Sequence, residues 1–199
     1  MPIAAAVSAT ETAREWPDQG AWTYDDYRRL PDDGWRYEVI RGRLYMSPAP
    51  RPDHQRSSRG LFRALDRFIE DRDLGEVFFA PIDVNLPGLA SPVQPDLLFI
   101  RKERLAIVQE DFIDGAPDLI AEVLSPSNWI LDRREKYQLY AAAGVGKYWI
   151  VDPAQRTIEV FVLEGGSYRL FAQRGPGETI RSRLFPELEV EIDDVLPAR

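Results

Sequence analysis

The 199-residue chain has no cysteine and a single histidine, His54. That excludes a disulfide framework, thiol nucleophiles, thiolate iron–sulfur ligation and zinc sites of the Cys/His kind. Cationic residues are outnumbered, with 25 Lys and Arg against 33 Asp and Glu, a net charge of −8. This balance argues against indiscriminate coating of nucleic acid but leaves room for a local basic patch. No apolar run approaches the ~18 residues of a membrane span. The first residues lack the basic segment and long apolar stretch of a secretory signal. A cytoplasmic protein with no membrane contact is the expectation. Also missing are G-x-x-x-x-G-K-S/T and G-x-G-x-x-G, which removes the phosphate-cradling nucleotide folds. Without G-x-S-x-G, and with one histidine to serve a triad, Ser125-Pro126-Ser127 reads as caps on a turn rather than as a nucleophile site.

Hydrophobic residues make up 44% of the chain, enough for one core without staples. At about 150 residues per domain, the length suits a single domain. Residues 1–21, rich in Ala, Ser and Thr and without sustained period, read as a flexible tail ahead of a domain over 22–199. Thr23 with Asp26 signals the start of a short helix, Tyr24–Leu30, ended by Pro31. Residues 35–46 alternate around Arg41-Gly42 as a β-hairpin. Residues 53–72 carry Leu61, Leu65, Phe68 and Ile69 at helical spacing, with Arg56, Arg59, Arg63 and Arg67 along the opposite face. That arginine line could track phosphates or be an ordinary solvated face.

Strands are expected at Glu76–Val84 and Asp96–Ile100, separated by a Pro/Gly loop over 85–94. Leu119–Leu124 is almost wholly apolar, as a strand buried on both faces should be. A helix over Leu131–Ala143, stopped by Gly144, leads to a second central strand, Lys147–Val151. Thr157–Leu163 and Tyr168–Ala172 flank Gly165-Gly166 as another hairpin, and Leu184–Leu196 adds a short strand and a turn. The order predicts an α/β fold whose mixed sheet has antiparallel parts and flanking helices.

Two acids stand out against this background. Asp96 opens an apolar strand and Glu122 lies inside LIAEVL. Burying an ionised carboxylate is costly unless a metal ion or a basic partner compensates it. Hard oxygen ligands of this kind suit Mg²⁺ or Mn²⁺ and metal-dependent phosphodiester chemistry. Structural salt bridges at strand ends would account for the same pattern. Lys136 bears on the choice. Residues 132, 136, 139, 140 and 143 share one helical face, so the side bearing Leu139 and Tyr140 also carries a lysine and Asp132. That amine could be aimed at the carboxylates, pair with Asp132 four residues earlier, or do both. Glu38 alternates with Tyr37 and Val39 in the first hairpin, which by itself predicts a solvent-facing side chain.

The segments YEVIRGRL (37–44), HQ (54–55), QPDLLFI (94–100), GAPDLIAEVLSPS (115–127), DRREKYQLYAAAGVGKYWIVDP (132–153) and LFPELEVEIDDVL (184–196) resemble, in order, the Uma2 family of restriction-endonuclease-like proteins. The resemblance covers most of residues 23–196 and implies the PD-(D/E)xK nuclease fold, a mixed sheet with a metal site. It makes Asp96 the acid of the PD pair, Glu122 the second acid and Glu38 an early third contributor. The usual lysine two residues after the second acid is absent, because Leu124 stands there. Similar sequences place the lysine on the next helix, where Lys136 lies. The implied catalytic set is Glu38, Asp96, Glu122 and Lys136. Asp96, Glu122 and the Val123 carbonyl would hold Mg²⁺ or Mn²⁺, and Lys136 would position water or offset charge. His54 could contact phosphate or be a half-buried structural residue. The substrate implied is nucleic acid, DNA first. Cutting both strands of a duplex needs two sites, so a homodimer is expected. A protein that keeps the nuclease fold only for binding or assembly is the alternative, favoured by Leu124 and the acidic charge.

Overall fold

The computed structural model describes residues 16–126 and 129–196. Of the expected N-terminal tail, residues 1–15 lie outside that range, as does Ser127 of the turn after the Glu122 strand. Residues 16–22 pack on one another and on the first hairpin. Trp16 stacks on Trp22 with ring centroids 5.5 Å apart, and the Gly20 and Trp22 N–H groups both donate to the Gly42 carbonyl. Gly42, at φ +71°, turns the hairpin, and a Cβ there would collide with the Gly20 backbone.

Thr23 caps α1 (Tyr24–Tyr27) through a reciprocal box with Asp26. The helix ends at Tyr27 with Arg28 as its cap, earlier than the expected Leu30. The hairpin β1 (Arg36–Ile40) and β2 (Arg43–Ser47) precedes the long helix α2 (Pro52–Glu70). Next come β3 (Gly75–Phe79), β4 (Asp83–Leu86), β5 (Ala90–Val93) and β6 (Leu97–Arg101). The single strand expected over 76–84 is therefore two strands, and they belong to different sheets. Pro81 lies at the break, where it offers no N–H to a ladder. The segment 85–94 is a tight β4–β5 hairpin rather than a loop.

A 3₁₀ turn (Lys102–Ile107) and β7 (Phe112–Asp114) lead to β8 (Leu119–Val123). The expected helix over 131–143 begins as a π-helix (Leu131–Lys136) and continues as α3 (Tyr137–Ala143). The Tyr148 hydroxyl donates to the Asp132 carbonyl at 3.0 Å, a side chain entering the helix ladder where it widens. Gly144, left-handed, closes the helix. The chain finishes with β9 (Lys147–Asp152), β10 (Thr157–Glu164), β11 (Ser167–Arg174), β12 (Thr179–Arg181), β13 (Glu189–Glu191) and α4 (Ile192–Val195).

Six strands form one mixed sheet in the order β11-β10-β9-β8-β6-β3. Its interior pairs are β6–β8 and β9–β10, both antiparallel, and β8–β9, parallel. A five-stranded sheet, β2-β1-β5-β4-β7, and the pair β12-β13 accompany it. Period-two alternation assigns the faces of the six-stranded sheet. Leu97, Phe99, Ala121 and Trp149 point toward Leu61, Leu65 and Ile69 of α2. Leu98, Ile100, Ile120 and Ile150 point the other way, toward Leu139 and Tyr140 of α3 and toward the five-stranded sheet. No helix among the described residues is long and apolar enough to cross a membrane.

Candidate active site

The β6–β8 register sets Leu97 against Ala121 and Leu98 against Ile120. Continued by one residue, it places Asp96 opposite Glu122, and both share parity with Leu98 and Ile120 on the α3 side. The two acids therefore meet because two antiparallel strands bring them to one spot. Asp96 Oδ2 accepts from the Val123 N–H at 2.9 Å, which ties its carboxylate to the end of β8. The Val123 contact seen here is made by its amide rather than by the carbonyl expected as a ligand.

Lys136 enters from the π-helical segment. Its Nζ lies 3.0 Å from Glu122 Oε1, 2.9 Å from Glu38 Oε1 and 3.6 Å from Asp132 Oδ1, with all four side chains buried. The aiming of Lys136 at the carboxylates and its pairing with Asp132 thus coexist. Glu38 is 2% exposed, against the solvent-facing position that alternation suggests. Alternation tells the two faces of a strand apart but not whether both are covered. Here β1 lies between β2 and β5, and Ile40, of Glu38's parity, belongs to the core against the six-stranded sheet. Glu38 Oε1 also accepts from the Gln94 N–H at 2.7 Å.

Three partners were not apparent from the sequence. Arg36 Nη1 donates to Asp96 Oδ1 at 2.9 Å. The available signal was its parity with Glu38 in β1. The Tyr140 hydroxyl donates to Glu122 Oε1 at 2.7 Å, from a position read only as apolar. Gln94, beside Asp96, donates its side-chain amide to Asp83 at 2.8 Å and so steadies the strand end. His54 was a candidate, and its Nε2 lies 2.9 Å from Asp96 Oδ2, with Nδ1 3.4 Å from the Ser58 hydroxyl.

The electrostatics are lopsided. Four buried carboxyls (Glu38, Asp96, Glu122, Asp132) face two permanent cations, Arg36 and Lys136. Burial pushes Asp96 up, but the His54 hydrogen bond and the Arg36 charge outweigh it, so its pKa falls below the ordinary carboxylate range. Burial pushes Glu122 up to about 7, against the pull of Lys136 and with the charges of Asp96 and Glu38 adding to the rise. Asp132 is raised well above its ordinary value, chiefly by burial. For Lys136 burial acts downward, and the carboxylates Glu122, Glu38 and Asp132 more than reverse it, holding the amine protonated. Without another cation the cluster reduces its excess of negative charge by retaining protons.

Among the described residues no three His, Asp or Glu side chains converge as a complete protein-only metal site. Mg²⁺, however, keeps several waters and takes one or two carboxylates. Asp96 and Glu122 are two hard oxygen donors set opposite one another, amid negative charge that a divalent ion would neutralise. The donor set fits such an ion.

Beside Asp96 the surface opens into a cavity of about 360 Å³, lined by Arg36, His54, Arg56, Arg59, Phe62 and Phe79 among others. Of the arginine line, Arg56 and Arg59 therefore border the site, while Arg63 and Arg67 remain on the exposed face of α2.

A family model described as "Uma2: Putative restriction endonuclease" matches residues 24–195. Among solved structures, the chain is similar to "a putative nuclease belonging to DUF820" from Anabaena variabilis, with a TM-score of 0.71 and 20% identity. That likeness covers 87% of this chain and 97% of the other, and it establishes a common fold. A search of curated proteins finds no match.

Proposed function

The chain belongs to the Uma2 family of restriction-endonuclease-like proteins, and from that premise we propose that it is a Mg²⁺- or Mn²⁺-dependent nuclease hydrolysing phosphodiester bonds of DNA. One observation carries the reading: Asp96 and Glu122 meet on neighbouring strands, and the amine of Lys136 reaches Glu122 from the following helix. Restriction-endonuclease-like proteins generally use divalent metals, and Asp96 and Glu122 would be the side-chain ligands here, with the Val123 carbonyl as third donor. A bound ion would polarise the phosphate and lower the pKa of a water.

The chain's own groups have separate tasks. Lys136, held protonated by its carboxylates, cannot take a proton from water; it donates a hydrogen bond and offsets charge gathering on the phosphate. Tyr140 fixes the orientation of Glu122 through its 2.7 Å hydrogen bond. Glu38 holds Lys136 from the opposite side. Arg36 and His54, both on Asp96 and both lining the cavity, are placed to contact substrate phosphate. The residues from 22 to 199 act as one domain in the cytoplasm, and cleavage of both strands of a duplex would call for a homodimer.

A second reading has an observation of its own. Both Asp96 oxygens and Glu122 Oε1 already have protein partners, as a fold kept only for binding would allow. Thermal unfolding with and without Mn²⁺ separates the two. A nuclease gains stability from the ion, by about 2.7 kcal/mol at a hundred times Kd, and Asp96→Ala abolishes the gain. A wild-type protein indifferent to Mn²⁺ and Mg²⁺ would leave the non-catalytic reading in possession.

A further inference from the structure

The 360 Å³ cavity beside Asp96 does not stand alone. A second, of about 560 Å³, lies between Arg28, Trp35 and Pro50, and the two share Arg36, Gln55 and Ala80 as walls. Together they form a cleft with Arg36 where the two cavities adjoin and Asp96 in its lining. Its charge is opposite to that of the chain as a whole. Arg28, Arg36, Arg56 and Arg59 line it with His54, against Asp32 and Asp96 as the acids, although the protein carries −8. Arg36 and Arg56 are paired with Asp96 and Asp53, whereas Arg28 and Arg59 have no carboxylate partner among the described residues.

Each of the two cavities has an exposed aromatic ring in its lining. Phe79 is 59% exposed and Trp35 48%. Phe79 is nevertheless held in place, because Phe62 packs edge-on against it at a centroid distance of 5.0 Å. An exposed ring fixed from behind, beside unpaired guanidinium groups, offers a stacking surface and a phosphate contact together. Bases in a duplex already stack on one another and cannot use such a surface, whereas unpaired bases can.

We propose that this cleft binds an unpaired nucleic-acid strand, one base on Phe79 and another on Trp35, with Arg28 and Arg59 on phosphates and the intervening phosphate over Arg36 and Asp96. The proposal rests on the nuclease reading of the same site and narrows its substrate to single-stranded or locally opened nucleic acid.

The test is fluorescence anisotropy in EDTA at low salt, where no cleavage occurs. The probes are an oligodeoxyuridylate and an oligouridylate of about sixteen nucleotides and a duplex of the same length. The full chain is expected to bind a single strand more tightly than the duplex, and whichever strand binds better names the preferred sugar. Phe79→Ala and Trp35→Ala should each weaken single-strand binding about 5- to 100-fold and leave duplex binding unmoved. Arg59→Gln should lower the salt slope by about one. Phe79→Leu, which keeps apolar bulk and removes the ring face, should weaken binding as Phe79→Ala does; this guards against a mere packing loss. A duplex bound as tightly as the single strands, no binding at all, or ring variants that bind like wild type would overturn the proposal. Because binding is read without metal, its failure is distinct from failure of the nuclease reading, which is judged by metal-dependent cleavage.

Discussion

On one face of the six-stranded sheet, α2 lays Leu61, Leu65 and Ile69 against Phe99, Ala121 and Trp149. On the other, the π-helical turn sets Lys136 among Glu38, Glu122 and Asp132. The strands are the same and so is their alternation. Only the chemistry offered to each face differs. The α2 face gains stability from area removed from water. The α3 face takes on charges whose desolvation can exceed their mutual attraction, so well-packed apolar residues would serve stability as well or better. The surplus of acid over base on that face therefore points to chemistry, and the first face is the internal control for what packing alone requires.

Substitutions on the two faces should consequently fail in different ways. The largest effect is expected for Asp96→Ala: metal-dependent cleavage of single-stranded DNA falls by about a thousandfold or more, since a metal-held transition state is worth several kcal/mol, while circular dichroism shows the fold retained. Cleavage surviving in both Asp96→Ala and Glu122→Gln would mean that the activity arises elsewhere. Next comes Lys136→Met. It strands Glu38 and Glu122 as buried carboxylates without their cation and should cost about 3–5 kcal/mol in urea unfolding at neutral pH. In the protein that remains folded, turnover should drop more than Mn²⁺ affinity if the amine acts, as proposed, on phosphate or water rather than as a ligand. Smaller, at about 3 kcal/mol, is the cost of Leu65→Ala on the other face, a cavity penalty. Its Mn²⁺-induced thermal shift should equal the wild-type shift. If Leu65→Ala abolished the metal response, the two faces would not be separable and the comparison would break.

Legibility in the sequence divides along similar lines. β8, β9 and the two Gly-turned hairpins were readable because apolar runs and alternation are local signals. The separation of β3 from β4 was not, since a proline-interrupted apolar stretch does not say which sheet each half joins. The π-helical turn was hidden as well: six residues are too few for its wider period to stand out from an α pattern. At the site, the inward Lys136 followed from helical spacing, and Asp96 and Glu122 from their apolar surroundings. The burial of Glu38 depended on what covers β1, and the Arg36–Asp96 pair joins residues sixty apart in the chain. Such contacts are properties of sheet order, which no local pattern encodes.

The mildest effect, a dependence on pH, also separates the faces. Glu122 has its pKa raised from 4.5 to about 7, so the folded state retains a proton that the unfolded chain releases. Its contribution to stability is fully present below the unfolded value and is lost as pH rises through about 7. Asp132 shifts in the same direction. Asp96, shifted the other way, contributes above its unfolded value and is already constant across this window. In EDTA, wild-type stability should therefore decline between pH 5 and 7 relative to Glu122→Gln, which has no proton to lose. A divalent ion requires the deprotonated carboxylate. Its affinity should accordingly rise about tenfold per pH unit below 7 and level off above, as read by calorimetric titration with Mn²⁺. Leu65→Ala should follow the same curve as wild type, because Leu65 lies in the apolar cluster on the α2 side of the sheet, away from Glu122. A flat affinity from pH 5.5 to 7 would remove Glu122 from the ligand set and leave Asp96 as the only side chain holding the ion.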